Sequence, residues 1–229
     1  MIYLDNSATT KPHESVLQTF LQVNEHYYAN PASIHKAGVE ANDLLSRARQ
    51  QVASILNTEE KQVIFTSGGT ESNNFALQGI AKSSTHKGKH IIVSEIEHPS
   101  VLEAAKRLIT EGFDVEYLRV DENGKLSIEQ LKRIIRKDTI LVSVMHVNNE
   151  MGAISPIREM AQIIHEKSRA IFHVDAVQSF GKIPITFDGE NGPDILTVSG
   201  HKINGIKGSG IIAFRKQINV HPFLVGGGQ

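Results

Sequence analysis

From Val63 onward, short β-branched and apolar runs alternate with segments of helical period, and that alternation leaves few architectures open. Runs at 63–66, 90–95, 115–120, 139–146, 170–175, 195–199 and 210–214 read as strands. They are apolar enough to be buried on both faces. The pattern predicts an α/β fold: a mostly parallel central sheet with helices on both faces. Ahead of it, Ala41, Leu44, Leu45, Ala48, Val52, Ile55 and Leu56 recur at three- and four-residue steps and make one apolar helix face. Ser127 with Gln130 has the form of a capping box, and Ser155 followed by Pro156 that of an N-cap and first helical position. The end, LVGGGQ, stops in a glycine run with no closing element, so the chain is expected to be cut rather than finished.

In open parallel sheets, ligands bind outside the carboxyl ends of the strands. The residues just past successive strands here are Ser67-Gly68-Gly69-Thr70, Glu97-His98, Asn148-Asn149, Asp175 with Gln178, and Ser199-Gly200-His201-Lys202. One crevice could hold them all. In FTSGGTESNN, paired glycines join a strand to a helix whose free N–H groups favour an anion, and a phosphate fits there. The plainer reading is a strand-to-helix turn with Thr70 as cap. No Walker lysine follows, which removes the nucleotide P-loop.

Asp175 ends the apolar strand AIFHVD, where an ionised carboxylate is costly unless a cation meets it. A protonated pyridine nitrogen would suit; an N-cap or structural ion pair is the plainer alternative. Lys202 lies between a strand and a glycine-rich turn, where partial burial and cationic neighbours can strip its proton for Schiff-base chemistry. Lys207, nearer the next strand, is the weaker candidate. Ser199 and His201 are placed for phosphate, and His98 to lie against a flat ring. Asn149 and Gln178 carry the donors and acceptors that a phenolic oxygen requires. Taken singly, each is a routine loop residue.

Two further motifs lead elsewhere. Gly208-Ser209-Gly210 satisfies a loose dinucleotide fingerprint, but IIAF continues as a strand where that motif needs a helix. His173 and Asp175 with His146 or His201 could begin a metal cluster, yet no second acidic pair or helical histidine spacing completes a ligand set, so no metal is expected.

Composition narrows the chemistry. Lys and Arg number 24 against 25 Asp and Glu, so no overall field draws the chain to nucleic acid or an anionic membrane. No apolar run spans a bilayer and no secretory signal opens the chain, so a cytoplasmic location is expected. There is no cysteine, which excludes disulfides, thiolate metal sites and a thiol nucleophile from within these 229 residues.

The segments YLDNSATT, NPASIHKAG, FTSGGTESNN, SEIEHPSV, MHVNNEMGAI, HVDAVQSFGK, SGHKINGIKG and GGGQ together resemble the NifS/IscS-like cysteine desulfurases, fold type I enzymes of the class V aminotransferase family. The resemblance covers essentially the whole chain. It implies one pyridoxal-5'-phosphate-binding large domain over 1–229, with 1–60 packing as part of it and the small C-terminal domain absent. It implies that Lys202 carries the cofactor as a Schiff base, Asp175 pairs with the pyridine nitrogen and His98 stacks on the ring. Gly69, Thr70, Ser199 and His201 would bind phosphate, Gln178 the ring oxygen, and Asn149 that oxygen and the substrate carboxylate. Such enzymes convert L-cysteine to L-alanine and pass the sulfur, as a persulfide, to an acceptor protein for iron–sulfur cluster assembly or for tRNA and cofactor thiolation. They are homodimers. Gly69 stands where many members carry alanine, an exchange expected to change little. The nucleophilic cysteine of the family is missing, which leaves a scaffold or binding module as the competing reading.

Overall fold

The computed structural model describes residues 1–187, 191–215, 218–222 and 224–226. The last three residues of the GGGQ segment, 227–229, lie outside them. Two helices come first, α1 (Glu14–His26) and α2 (Lys36–Leu56). Strand β1 (Val63–Thr66) then leads into α3 (Gly69–Ser83), β2 (His90–Ser94), α4 (Pro99–Thr110) and β3 (Asp114–Leu118). The chain continues through α5 (Ile128–Ile134), β4 (Thr139–Met145), α6 (Ile157–Lys167), β5 (Ile171–Asp175), β6 (Ile195–Ser199) and β7 (Gly210–Phe214).

The strands form one seven-stranded sheet in the order β1-β7-β6-β5-β4-β2-β3. Only β7 runs against the others, pairing antiparallel with both β1 and β6. The carboxyl ends of β1, β2, β4, β5 and β6 therefore share one edge of the sheet.

Alternate residues of the strands supply different cores. Ile91 and Val93 of β2 pack with Leu77 and Ile80 of α3 and Leu108 of α4, whereas Ile92 packs with Phe172, Met160 and Ile164 on the α5–α6 side. A third cluster joins Ala53 and Leu56 of α2 to Leu196, Val198 and Ala213. The helix predicted over 41–56 forms, but its apolar face is only partly covered, and Ile55 is 70% exposed rather than packed.

Where element ends differ from expectation, competing hydrogen bonds explain it. The third strand stops at Leu118 because the Arg119 and Val120 amides are taken by the side chains of Gln130 and Glu95, both at 2.8 Å. That also halves the expected capping box: Ser127 Oγ accepts from Gln130 N, but the Gln130 carbonyl oxygen serves Arg119 instead of Ser127. At α6 the cap is Pro156, one residue later than expected, since Ser155 Oγ donates to Met145 O at 2.7 Å. Gly210–Phe214 is a strand, not the helix that the discarded dinucleotide fingerprint would have needed.

The N-terminal segment is tied to the loop after β6. Thr10 N donates to His201 O at 2.8 Å and His13 N to Asn204 O at 2.9 Å, while Asn204 N donates to Thr10 Oγ1 at 2.7 Å. No residue of α1 is buried, and Leu17, Phe20 and Leu21 remain exposed. Among the described residues, no helix is long and apolar enough to cross a membrane.

Candidate functional site

A cavity of about 560 Å³ opens at the shared carboxyl edge. Five different strand ends feed it: Gly69 and Thr70 after β1, His98 after β2, Asn149 after β4, Asp175 and Gln178 at β5, and Ser199, His201 and Lys202 at β6. Every residue that the resemblance assigns to the cofactor thus lines one space, whereas Glu97 and Asn148, also expected in the crevice, are buried and do not line it. Lys207 is exposed and does not line it.

The glycine pair has a steric basis. Gly68 sits at φ 152°, a conformation that side chains rarely adopt, and caps α3 through its backbone. The first helical bond runs from Ser72 N to Gly68 O, so the amides ahead of it are not spent within the helix. A Cβ at Gly69 would lie 2.9 Å from Val177 Cγ2. Alanine there is therefore not the neutral exchange expected, because the stiff Val177 side chain has to give way. Thr70 belongs to the first turn and is not the cap.

Asp175 is 4% exposed. Its Oδ1 accepts from Val177 N at 2.9 Å and its Oδ2 from Asn73 Nδ2 at 2.8 Å. Burial pushes this carboxyl above the ordinary range, and the two donors and the nearby His98 and Lys202 oppose it. A cationic group in the cavity would complete that opposition.

Lys202 ends a single 3₁₀ turn, Gly200–Lys202, directly after β6. Partial burial first, and the Lys182 charge second, hold its amine below the usual lysine value, against Asp5 and Asp175. Lys202 Nζ donates to Ser7 O, which also accepts Gln178 Nε2 at 2.8 Å. His201 Nδ1 lies 3.0 Å from Thr9 Oγ1, and burial followed by the charges of Lys202 and Lys207 lowers its basicity. His98 caps α4, its Nδ1 accepting from Ser100 N at 3.1 Å. The capping role and the cavity position coexist in this one side chain.

His173, weighed as a metal ligand, is fully buried with its ring nitrogens against Ser143 Oγ and Thr197 Oγ1. Glu97, which binds the backbone of the wall residue Met145, is 5% exposed: Oε1 accepts from Ser94 Oγ and, at 2.6 Å, from Met145 N, and Oε2 has no partner among the described residues. Burial raises its carboxyl to about 8. The sequence reading missed Ser7, Asn73, Ser100 and Val177 as parts of the wall. All four lie inside motif segments of the sequence, and that was the one signal available for them.

The class V aminotransferase model matches residues 2–229. The chain belongs to that family. Class V aminotransferases of the cysteine desulfurase kind depend on pyridoxal phosphate. Over 228 residues, the chain is 44% identical to a cysteine desulfurase IscS of Dictyoglomus turgidum, covering all of itself and 57% of that relative. A solved NifS-like protein superposes with a TM-score of 0.96 at 39% identity, over 100% of this chain and 62% of its own. A second solved structure, SspA in complex with cysteine, gives a TM-score of 0.94 at 36% identity, over 100% of this chain and 66% of its own. This class V aminotransferase chain thus spans less than about two thirds of the length of these three proteins.

Proposed function

We propose that this chain is the pyridoxal-phosphate-binding large domain of a cysteine desulfurase, with Lys202 as the attachment point of the cofactor. The observation that carries the proposal is the meeting of Lys202, with its lowered basicity, and the buried Asp175 in one cavity fed by separate strand ends. The donor set suits the group: an amine that can lose its proton, a buried carboxylate short of a cation, and unspent amides beside Gly69.

When bound, pyridoxal phosphate supplies an electron sink for charge developing at the substrate α-carbon. The chain's residues would do the rest. Gly69, Thr70, Ser199 and His201 hold the phosphate, and the small residue at Gly69 lets the backbone come close. Asp175 keeps a proton on the ring nitrogen, because an anion inside low-dielectric surroundings favours the charged form of its partner. His98, on the cavity wall, would lie against the ring. Gln178 and Asn149 donate to its phenolic oxygen, with Asn149 also near the substrate carboxylate. Lys202 Nζ, free of its proton at lower cost than an exposed lysine, would hold the cofactor and would move a proton at the substrate α-carbon.

L-Cysteine is the substrate in this reading, and its sulfur passes as a persulfide on a cysteine outside these 229 residues to an acceptor protein, for iron–sulfur cluster assembly or for tRNA and cofactor thiolation. The protein is cytoplasmic and homodimeric, and contacts neither nucleic acid nor membrane directly. The exposed Leu17, Phe20 and Leu21 of α1 support a partner surface. The lack of any cysteine favours a second reading, a scaffold or binding module without catalysis. Titration with pyridoxal phosphate separates the two: the desulfurase reading predicts a visible absorbance band that saturates and is lost in Lys202→Ala, and a folded chain with no such band would leave the module.

A further inference from the structure

Asn73, on α3, is 1% exposed, and none of the roles above uses it. Its Oδ1 accepts from Thr197 Oγ1 at 2.6 Å, and its Nδ2 donates to Asp175 Oδ2 at 2.8 Å and to Ser100 Oγ at 2.9 Å. With Asp175 ionised, as its pairing with a cation requires, its carboxylate only accepts and the amide has one orientation: nitrogen toward Asp175. That orientation fixes the protons on both sides of it. Thr197 spends its hydroxyl proton on Asn73 and therefore accepts from His173 Nε2 at 3.3 Å, leaving His173 Nδ1 to accept from Ser143 Oγ at 2.8 Å. Full burial holds His173 down at about 3, so the ring is neutral, as this row requires.

On the other side, Ser100 Oγ accepts from Asn73 and has its own proton left for His98 Nδ1 at 2.9 Å. His98 Nδ1 also receives Ser100 N–H at 3.1 Å. With Nδ1 accepting twice, a neutral His98 carries its proton on Nε2. The row Ser143, His173, Thr197, Asn73 crosses the buried sheet and ends on two side chains of the cavity wall, Asp175 and His98.

We propose that Asn73 is a positioning residue that couples the two cavity groups through one amide, holding Asp175 as an acceptor-only carboxylate and, through Ser100, His98 in its Nε2–H tautomer. The inference rests on Asp175 and His98 being cofactor contacts. Lone structural amides stabilise a fold without setting a tautomer two bonds away, and that difference is measurable.

The test uses the full chain labelled with ¹⁵N-histidine, the His98 signals being identified by their loss in His98→Gln. Long-range ¹H–¹⁵N spectra of the parent are expected to give the Nε2–H pattern for His98. Asn73→Ala and Ser100→Ala are each expected to move part of the His98 population to the other tautomer. Thr197→Val, which removes the donor that anchors Asn73 Oδ1, is expected to act in the same direction, with recovery in Thr197→Ser. Asn73→Ala should also weaken pyridoxal phosphate binding about tenfold in a spectral titration, the loss expected for one donor to a charged group. If Asn73→Ala does not fold, Ser100→Ala carries the test. An Nδ1–H pattern in the parent, or an unchanged pattern in every folded variant, would overturn the inference. A parent that binds no pyridoxal phosphate would strike the functional reading alone, with the tautomer spectra still deciding this one.

Discussion

Asp175 was visible in the sequence because a charged residue at the end of an apolar strand demands a partner, and the structure adds that its carboxyl is buried with only two donors. In a complete enzyme, Asp175→Asn should lower turnover about 100-fold or more while the phosphate contacts keep the cofactor bound at saturating concentration, since preorganised charge is removed and the phosphate-binding groups are not. Steady-state alanine formation and cofactor absorbance, measured together, check this; wild-type turnover would contradict it. Glu97 gives a stability test free of any ligand. Its carboxyl, raised to about 8, keeps in the folded chain a proton that the unfolded chain releases above about 4.5. The stability attributable to Glu97 therefore falls as pH rises from about 4.5 to 8. Glu97→Gln, neutral throughout, should melt close to the parent at pH 5 and above it at pH 8, and an equal difference at both would refute the assignment. Asn73 was illegible as a wall group, and Glu97, expected in the crevice, proves to be buried outside its lining: only the packing of α3 against β5 and β6 and of the β2 loop against β4 gives these two side chains their partners.

At the scale of elements, every strand was legible because apolar runs bounded by glycine and polar residues leave little alternative, as in ILTVS and GIIAF. Their order was not. The reversal of β7 and its insertion between β1 and β6 rest on pairings such as Val63 with Ala213, which join residues far apart in sequence. Helix starts were legible only to within a residue, since Ser155 and Gln130 found partners outside their helices. Ser127 does cap α5, whose short length makes that cap matter. Ser127→Ala should cost about 1 kcal/mol in urea denaturation at unchanged slope, and no loss would mean that the Gln130–Arg119 bond alone sets this helix start. Ile55 and the outer face of α1 show the limit of periodicity: it identifies a helix and an apolar face, and does not say what covers that face.

For the whole molecule, the composition sets what the fold cannot supply. Sulfur abstraction needs a thiolate that attacks the substrate sulfur and holds it as an exchangeable persulfide, and the 229 residues contain no cysteine. Incubated with cysteine, pyridoxal phosphate and a reductant, this chain should form no alanine beyond a Lys202→Ala control; production well above that control would require sulfur chemistry without a thiol. The central claim is narrower and concerns the cavity. Its most direct measurement is borohydride reduction of the chain with pyridoxal phosphate, followed by proteolysis and mass spectrometry to locate the pyridoxyl group. The account predicts a single stoichiometric adduct on Lys202, formed from a cavity that five strand ends build. Labelling of Lys182 or Lys207 in its place, or no site-selective adduct in folded protein, would contradict it.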